Sequence, residues 1–149
     1  MKKPKWIGTL ILILGVGLVF WGFGIKADNK ELKNKKMTKH ISAEEYRDVI
    51  SDKKVWNIDV REEYEFEEAR INDAILAPST RFYEIFDRLG IEKSDKIALY
   101  CRSGNRSAVI AKELERKGYE NLFNLKLGLH EWKAMGFHLE GKSKKIVIK

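Results

Sequence analysis

Hydrophobic and polar positions change their rhythm along this chain. From Trp6 to Ile25 twenty residues pass without a charged side chain. At a rise of ~1.5 Å per residue such a helix spans about 30 Å, the thickness of a bilayer's hydrocarbon core. Lys26 to Lys39 is lysine-rich and lacks apolar periodicity, which predicts a solvated spacer able to rest on anionic headgroups. From His40 onward, short apolar runs alternate with amphipathic ones.

That alternation predicts the elements of a domain. His40-Ile41 reads as extended, and Ser42 with Glu45 three residues on is a capping box opening a helix that faces inward through Tyr46, Val49 and Ile50. Lys54 to Val60 alternates and is rich in β-formers, so it predicts a strand. Glu62 to Glu68 predicts an acidic helix with a solvated face. Ala74 to Ala77 predicts a short buried strand ended by Pro78. Phe82, Ile85, Phe86 and Leu89 have helical core spacing, closed by Gly90. Lys96 to Tyr100 reads as a fully buried strand. Ser107 to Lys117 predicts a helix with Val109, Ile110 and Leu114 inward, ended by Gly118. Leu122 to Leu125 predicts another strand and Leu129 to Met135 a last helix. Ile146-Val147-Ile148 fits an edge strand or a loose tail.

Strands separated by helices imply an α/β class with a central, mostly parallel sheet of about five strands, helices on both faces, and one transmembrane helix in front. The predicted organisation is a charged tail at residues 1–5, an anchor at 6–25, a linker at 26–39, a domain at 40–138 and a tail at 139–149.

Charge sharpens this division. Nine of the 29 basic and two of the 22 acidic side chains lie in the first 40 residues, which leaves 20 of each in the remainder. The basic excess therefore belongs to the N-terminal arm, and a balanced domain argues against nucleic-acid binding. The apolar run competes between a retained anchor and a cleavable signal peptide. Its length, and Ile25-Lys26-Ala27 as a poor cleavage site, favour a single-pass anchor flanked by Trp6 and Trp21. Lys2, Lys3 and Lys5 favour an extracytoplasmic domain, whereas the six lysines from Lys26 to Lys39 pull the other way.

The chain has one cysteine, so no intrachain disulfide can form. Cys101 opens the loop Cys101-Arg102-Ser103-Gly104-Asn105-Arg106-Ser107, between the buried strand and the next helix. Ligands of open α/β sheets bind at the carboxyl ends of strands. A loop feeding a helix N-terminus offers unpaired N–H groups, and Gly104 lets the backbone curl into an anion nest. With Arg102 and Arg106 nearby, the Cys101 thiolate should be stabilised. The residues alone describe a cysteine nucleophile acting on an anionic group.

The stretch CRSGNRSAVIAKELERKGYENLFNLKLGLHEW resembles the second half of a rhodanese domain, and IDVREEYEFEEARINDAILAP resembles its first signature. Together they cover roughly residues 40 to 138. The resemblance implies a rhodanese fold and a sulfurtransferase that needs no cofactor or metal. Cys101 would take sulfane sulfur from a small anion, thiosulfate or a persulfide, and pass it to a thiol or cyanide-like acceptor. Residues Arg102, Ser103, Gly104, Asn105 and Arg106 would bind the substrate, with Asp59, Arg61 and Ser107 supporting the loop. Two positions depart from the pattern. Ala69-Arg70-Ile71 stands where the family has Gly-His-Ile, which could reshape the rim, and Leu127-Gly128 where it has Gly-Gly, a change expected to leave the sulfur cup untouched.

Two other readings compete. Rhodanese-like phosphatases resemble Cys-x5-Arg, whereas this chain has the shorter Cys-x4-Arg, a better fit to sulfur than to a phosphoryl group. A non-catalytic binding module at the membrane would dispense with the cysteine that this chain keeps. His130 and His138 lack metal-ligand spacing and read as surface or satisfied core residues. Trp56 and Trp132 read as packing residues.

Overall fold

The structure, a computed structural model, describes residues 37–142, which fall in one compact unit. The expected anchor over 6–25, nearly all of the linker, and Ile146-Val147-Ile148 lie outside the described residues. Among those described, no helix is long and apolar enough to cross a membrane.

The elements run in the order β1 (Lys39–Ile41), α1 (Ala43–Ile50), β2 (Trp56–Asp59), α2 (Glu63–Glu68), β3 (Ile75–Leu76), α3 (Phe82–Phe86), β4 (Lys96–Tyr100), α4 (Asn105–Arg116), β5 (Asn121–Leu125) and α5 (Gly128–Ala134). A 3-10 turn over Asp87–Leu89 extends α3, and Gly90 at φ 67° ends it. The five strands form one sheet in the order β1-β5-β4-β2-β3, and every adjacent pair is parallel. The expected α/β architecture is therefore observed.

Alternate strand residues feed two cores, because successive side chains leave a strand on opposite faces. Ile58, Ile97, Leu99 and Leu122 pack with Phe82 and Phe86 of α3 and with Ile110, Ala111 and Leu114 of α4. Ala98, Tyr100 and Leu125 face the other way, toward Ala43 and Tyr46 of α1 and Leu129 and Trp132 of α5. Trp132 is a core residue, as its position predicts. The capping box at the start of α1 forms: Ser42 Oγ accepts the Glu45 N–H at 3.3 Å, and Glu45 Oε2 accepts the Ser42 N–H at 2.9 Å.

Helix α4 differs from expectation in two respects. It starts at Asn105 rather than Ser107, because Gly104, at φ 85°, turns the chain directly into the first helical residue. Its buried stripe is Ser107, Ile110, Ala111 and Leu114, which has the i, i+3, i+4, i+7 spacing of one helix face. Val109 falls off that stripe and is 63% exposed, so the inward assignment of Val109 is corrected.

Candidate active site

Strand β4 carries Cys101 to the carboxyl edge of the sheet, and the chain folds back on itself before entering α4. Two glycines make this fold possible. A Cβ on Gly104 would lie 2.0 Å from the Lys126 carbonyl oxygen, so the loop rests directly on the backbone beyond β5. Gly128, at φ 61°, opens α5, where a Cβ would lie 2.4 Å from the Cys101 carbonyl oxygen. The N–H groups of Leu129 and His130 donate to the carbonyls of Cys101 and Arg102 at 2.9 and 3.2 Å. The first turn of α5 thus holds the loop by its carbonyls and leaves loop amides to face the sulfur.

Cys101 is buried, and its Sγ accepts the Gly104 N–H at 3.2 Å and the Ser107 hydroxyl at 3.5 Å. Burial pushes this thiol up. The Ser107 hydroxyl and the N–H groups of Ser107, Ser103 and Gly104 outweigh burial and hold it below the ordinary cysteine value. Ser107, expected to support the loop, therefore also touches the sulfur.

The two arginines do not close on the sulfur as the sequence suggests. Arg106 donates from two nitrogens to the Glu65 carboxylate, at 2.9 and 3.0 Å. The hydrogen bonds to Glu65 hold its guanidinium above its ordinary value, with a smaller contribution from the Cys101 charge. Arg102 is exposed and donates from Nε to His130 Nε2 at 3.1 Å. The thiol is stabilised by dipoles of the loop and Ser107, while the arginines shape the rim. Ser103 and Asn105 are exposed.

Asp59 and Arg61 lie beneath this site rather than in it. Both are buried, and Arg61 donates to Asp59 at 3.0 Å from Nε and 2.6 Å from a terminal nitrogen. The same terminal nitrogen reaches the Ala69 carbonyl at 2.6 Å, which fixes the corner after α2. Their link to the loop runs through Tyr100. Its hydroxyl accepts the Ile71 N–H at 3.1 Å, its ring lies 5.8 Å from the Arg61 guanidinium, and the nearby Asp59 charge adds to burial in holding its phenol well above the ordinary value.

Both departures from the family pattern are accommodated by the backbone. Ala69, at φ −162°, is in ordinary extended conformation and needs no glycine. Leu127 sits at φ −107° with its side chain exposed, while the retained Gly128 occupies the position where backbone meets backbone. It is the retained glycine, not the substituted position, that touches the sulfur loop.

Four residues of the site escape a reading of the sequence. Glu65 looks like one more solvated acid of α2, His130 like a surface histidine, Gly128 like a remnant of a glycine pair, and Asn124 like an unremarked strand residue. Asn124 is 1% exposed and donates from Nδ2 to the Gly104 carbonyl at 3.3 Å. The signal available was a polar residue, Asn124, inside an apolar strand.

No cluster of three or more His, Cys, Asp and Glu able to hold a metal occurs among the described residues. A concavity of about 510 Å³ lies at the opposite, amino-terminal ends of the strands. Its polar groups satisfy one another: Trp56 Nε1 donates to Asp95, Asn57 Nδ2 to the Asn72 carbonyl, and Lys53 pairs with Asp73. The buried thiol of Cys101 lies at the other, carboxyl end of the sheet.

Comparison with known proteins agrees with this architecture. The chain is similar to the tRNA uridine(34) hydroxylase of Leptospira interrogans, with 30% identity over 84% of this chain and 36% of that protein. It spans about a third of the length of the curated relatives it matches, from 28% to 36%. A rhodanese-like domain protein from Staphylococcus aureus superposes with a TM-score of 0.59 at 29% identity, covering 70% of this chain and 99% of that one. A thiosulfate sulfurtransferase from Pseudomonas aeruginosa shares the fold, with a TM-score of 0.61 at 20% identity over 76% of this chain and 22% of that one. The rhodanese-like domain model matches residues 42–135, and the chain belongs to that family.

Proposed function

We propose that the chain is a sulfurtransferase in which Cys101 carries sulfane sulfur as a persulfide. The observation that carries this reading is a buried, acidified thiol ringed by the Gly104 N–H and the Ser107 hydroxyl in a protein of the rhodanese-like family. The Cys101 thiolate attacks the outer sulfur of thiosulfate, a Cys–S–S bond forms, the donor's S–S bond breaks, and sulfite leaves with the electron pair. A persulfide donor reacts in the same way and releases its thiolate. A thiophilic acceptor, a thiol or cyanide, then removes the outer sulfur and restores the thiolate. With one cysteine in the chain, the acceptor is external.

The loop amides suit this chemistry because they stabilise negative charge on either sulfur without a titrating base. Arg102 supplies rim charge for an anionic donor, and Arg106 does so while paired with Glu65. The relatives named tRNA uridine(34) hydroxylases suggest a nucleic-acid substrate. The balanced charge after residue 40 speaks against that for this chain, since phosphate-backbone binding rests on basic excess. In the same reading Trp6 to Ile25 tethers the domain to a membrane, with the domain on the extracytoplasmic side. Protease digestion of intact cells tests this, with cleavage of the domain expected and protection opposing the assigned side.

The decisive experiment is the intact mass of the full chain after exposure to thiosulfate. A gain of one sulfur atom, released by cyanide as thiocyanate, is the expected result. No gain in a folded chain would assign the protein to binding rather than catalysis.

A further inference from the structure

Asn124 is a polar residue where the packing calls for an apolar one. It lies on the same face of β5 as Leu122, which packs in the core beneath α4, and it is 1% exposed. Its Oδ1 is buried with no hydrogen-bond partner among the described residues. A buried acceptor without a partner is a standing penalty on the fold, and an aliphatic side chain of the same branching would remove it. Both partners of this side chain are on its nitrogen: the Gly104 carbonyl at 3.3 Å and His40 Nδ1 at 3.0 Å. A carbonyl only accepts, so the amide nitrogen must face Gly104, and His40 Nδ1 is then the acceptor of the second bond.

Gly104 is the residue whose N–H meets Cys101 Sγ, at 3.2 Å. It stands at φ 85°, and a glycine has the least intrinsic restraint on its two flanking peptide planes. The plane before it aims the N–H at sulfur. The plane after it carries the carbonyl that Asn124 holds, together with the Ser107 hydroxyl at 3.2 Å and the Ala108 N–H at 3.1 Å. The last two bonds come from the helix that the loop feeds. Asn124 is the only one of the three that ties Gly104 to the sheet.

We propose that Asn124 is a positioning residue for the sulfur loop: by pinning the Gly104 carbonyl to β5, it holds the Gly104 N–H on Cys101. This deepens the sulfurtransferase reading and rests on it for its purpose, since a persulfide needs the same N–H. It also accounts for an orphaned acceptor in the core, which is retained because its amide nitrogen holds the loop.

The experiment compares the full chain with Asn124→Leu and Asn124→Asp. Each is assayed for alkylation of Cys101 by iodoacetamide across pH, sulfur uptake from thiosulfate, and thermal midpoint. Arg102, Arg106, Glu65 and His40, the titrating and charged groups about the loop and the amide, stay in place in both variants. In Asn124→Leu the Gly104 carbonyl keeps the Ala108 N–H and the orphaned acceptor is gone, so the midpoint should hold or rise. The alkylation profile should nevertheless move to higher pH, with sulfur uptake slowed about tenfold, less than the ~100-fold that follows direct loss of an oxyanion donor. Asn124→Asp, of unchanged shape but without the N–H, should move the profile further in the same direction and reports even if the leucine variant does not fold. Profiles that overlay the parent's would overturn the proposal and leave Asn124 a packing residue. Alkylation is read without any sulfur donor, so a parent chain that takes up no sulfur counts against the sulfurtransferase reading alone.

Discussion

Arg106 meets Glu65 in a two-point ion pair, 2.9 and 3.0 Å long, that joins the first turn of α4 to α2 across the rim of the sulfur loop. Glu65 is the more enclosed partner, with 14% of its side chain exposed against 35% for Arg106. Burial alone would raise its carboxyl. The Arg106 hydrogen bonds and the Glu62 N–H outweigh burial and hold it below the ordinary carboxylate value.

A group depressed in the folded state stabilises the protein above its unfolded value and loses that contribution as pH falls through the folded one. Glu65→Gln should therefore cost about 1 kcal/mol at neutral pH, the upper end for a partly exposed pair. The difference from the parent should vanish in acid. Urea denaturation at several pH values measures this, and a difference independent of pH would show that the pair contributes little.

The same pair changes what Arg106→Ala should do. Read from sequence alone, Arg106 is a substrate-binding residue, and its loss should raise the requirement for thiosulfate more than it alters stability. In the fold its removal leaves Glu65 largely buried without its partner, which costs about 1–3 kcal/mol. Both a lower denaturation midpoint and a higher KM for thiosulfate are expected. A variant with unchanged stability would mean the pair is open in solution.

The contrast marks how much was legible. Element order, the parallel sheet and the position of Cys101 followed from local periodicity and from a loop placed between a buried strand and a helix. Pairings distant in sequence did not. Glu65 and Arg106 are 41 residues apart, and Asn124 and Gly104 are 20 apart. No local pattern selects Glu65 from the other acids of α2. Val109 failed for a different reason: apolar character alone placed it inward, whereas the buried stripe of α4 runs through the Ser107 hydroxyl, Ile110, Ala111 and Leu114 and leaves Val109 outside.

The glycines offer a test of the loop's confinement. Gly104→Ala brings a Cβ to 2.0 Å from Lys126 O, and Gly128→Ala to 2.4 Å from Cys101 O. In each case the obstacle is backbone, so the loop or the strand end must move. Gly90 also has positive φ, at 67°, but nothing lies within 4 Å of its Cβ position. Gly90→Ala should cost only the left-handed backbone term of about 1–2 kcal/mol. The two loop variants should lose at least twice that and sulfur transfer as well. Equal midpoints for all three would contradict the close approach.

His130 makes Arg102 a directed group rather than a loose one, through the 3.1 Å bond from Arg102 Nε to His130 Nε2. His130→Ala should leave kcat for cyanide-coupled turnover near the parent value and raise KM for thiosulfate about two- to fivefold, as expected for losing one exposed hydrogen bond worth ~0.5–1 kcal/mol. His130→Gln, which retains an acceptor, should recover most of the loss. A fall in kcat without a change in KM would place Arg102 in the reaction step instead.

Ser107 decides how the thiol itself behaves. Its hydroxyl reaches Sγ at 3.5 Å and is the strongest of the influences that lower the Cys101 value against burial. The parent's alkylation profile should accordingly have its midpoint below that of an ordinary cysteine, with reactivity falling as pH drops through it. Ser107→Ala removes the hydroxyl but leaves the Ser103, Gly104 and residue-107 N–H groups, so the midpoint should rise without reaching that of a buried thiol lacking all donors. The Gly104 carbonyl keeps Asn124 and Ala108, which limits the effect on folding to about 1 kcal/mol. Cys101→Ser is the reference for both measurements: it should fold, take up no sulfur and produce no thiocyanate. A midpoint unmoved by Ser107→Ala would shift the burden of stabilising the thiolate to the backbone amides alone.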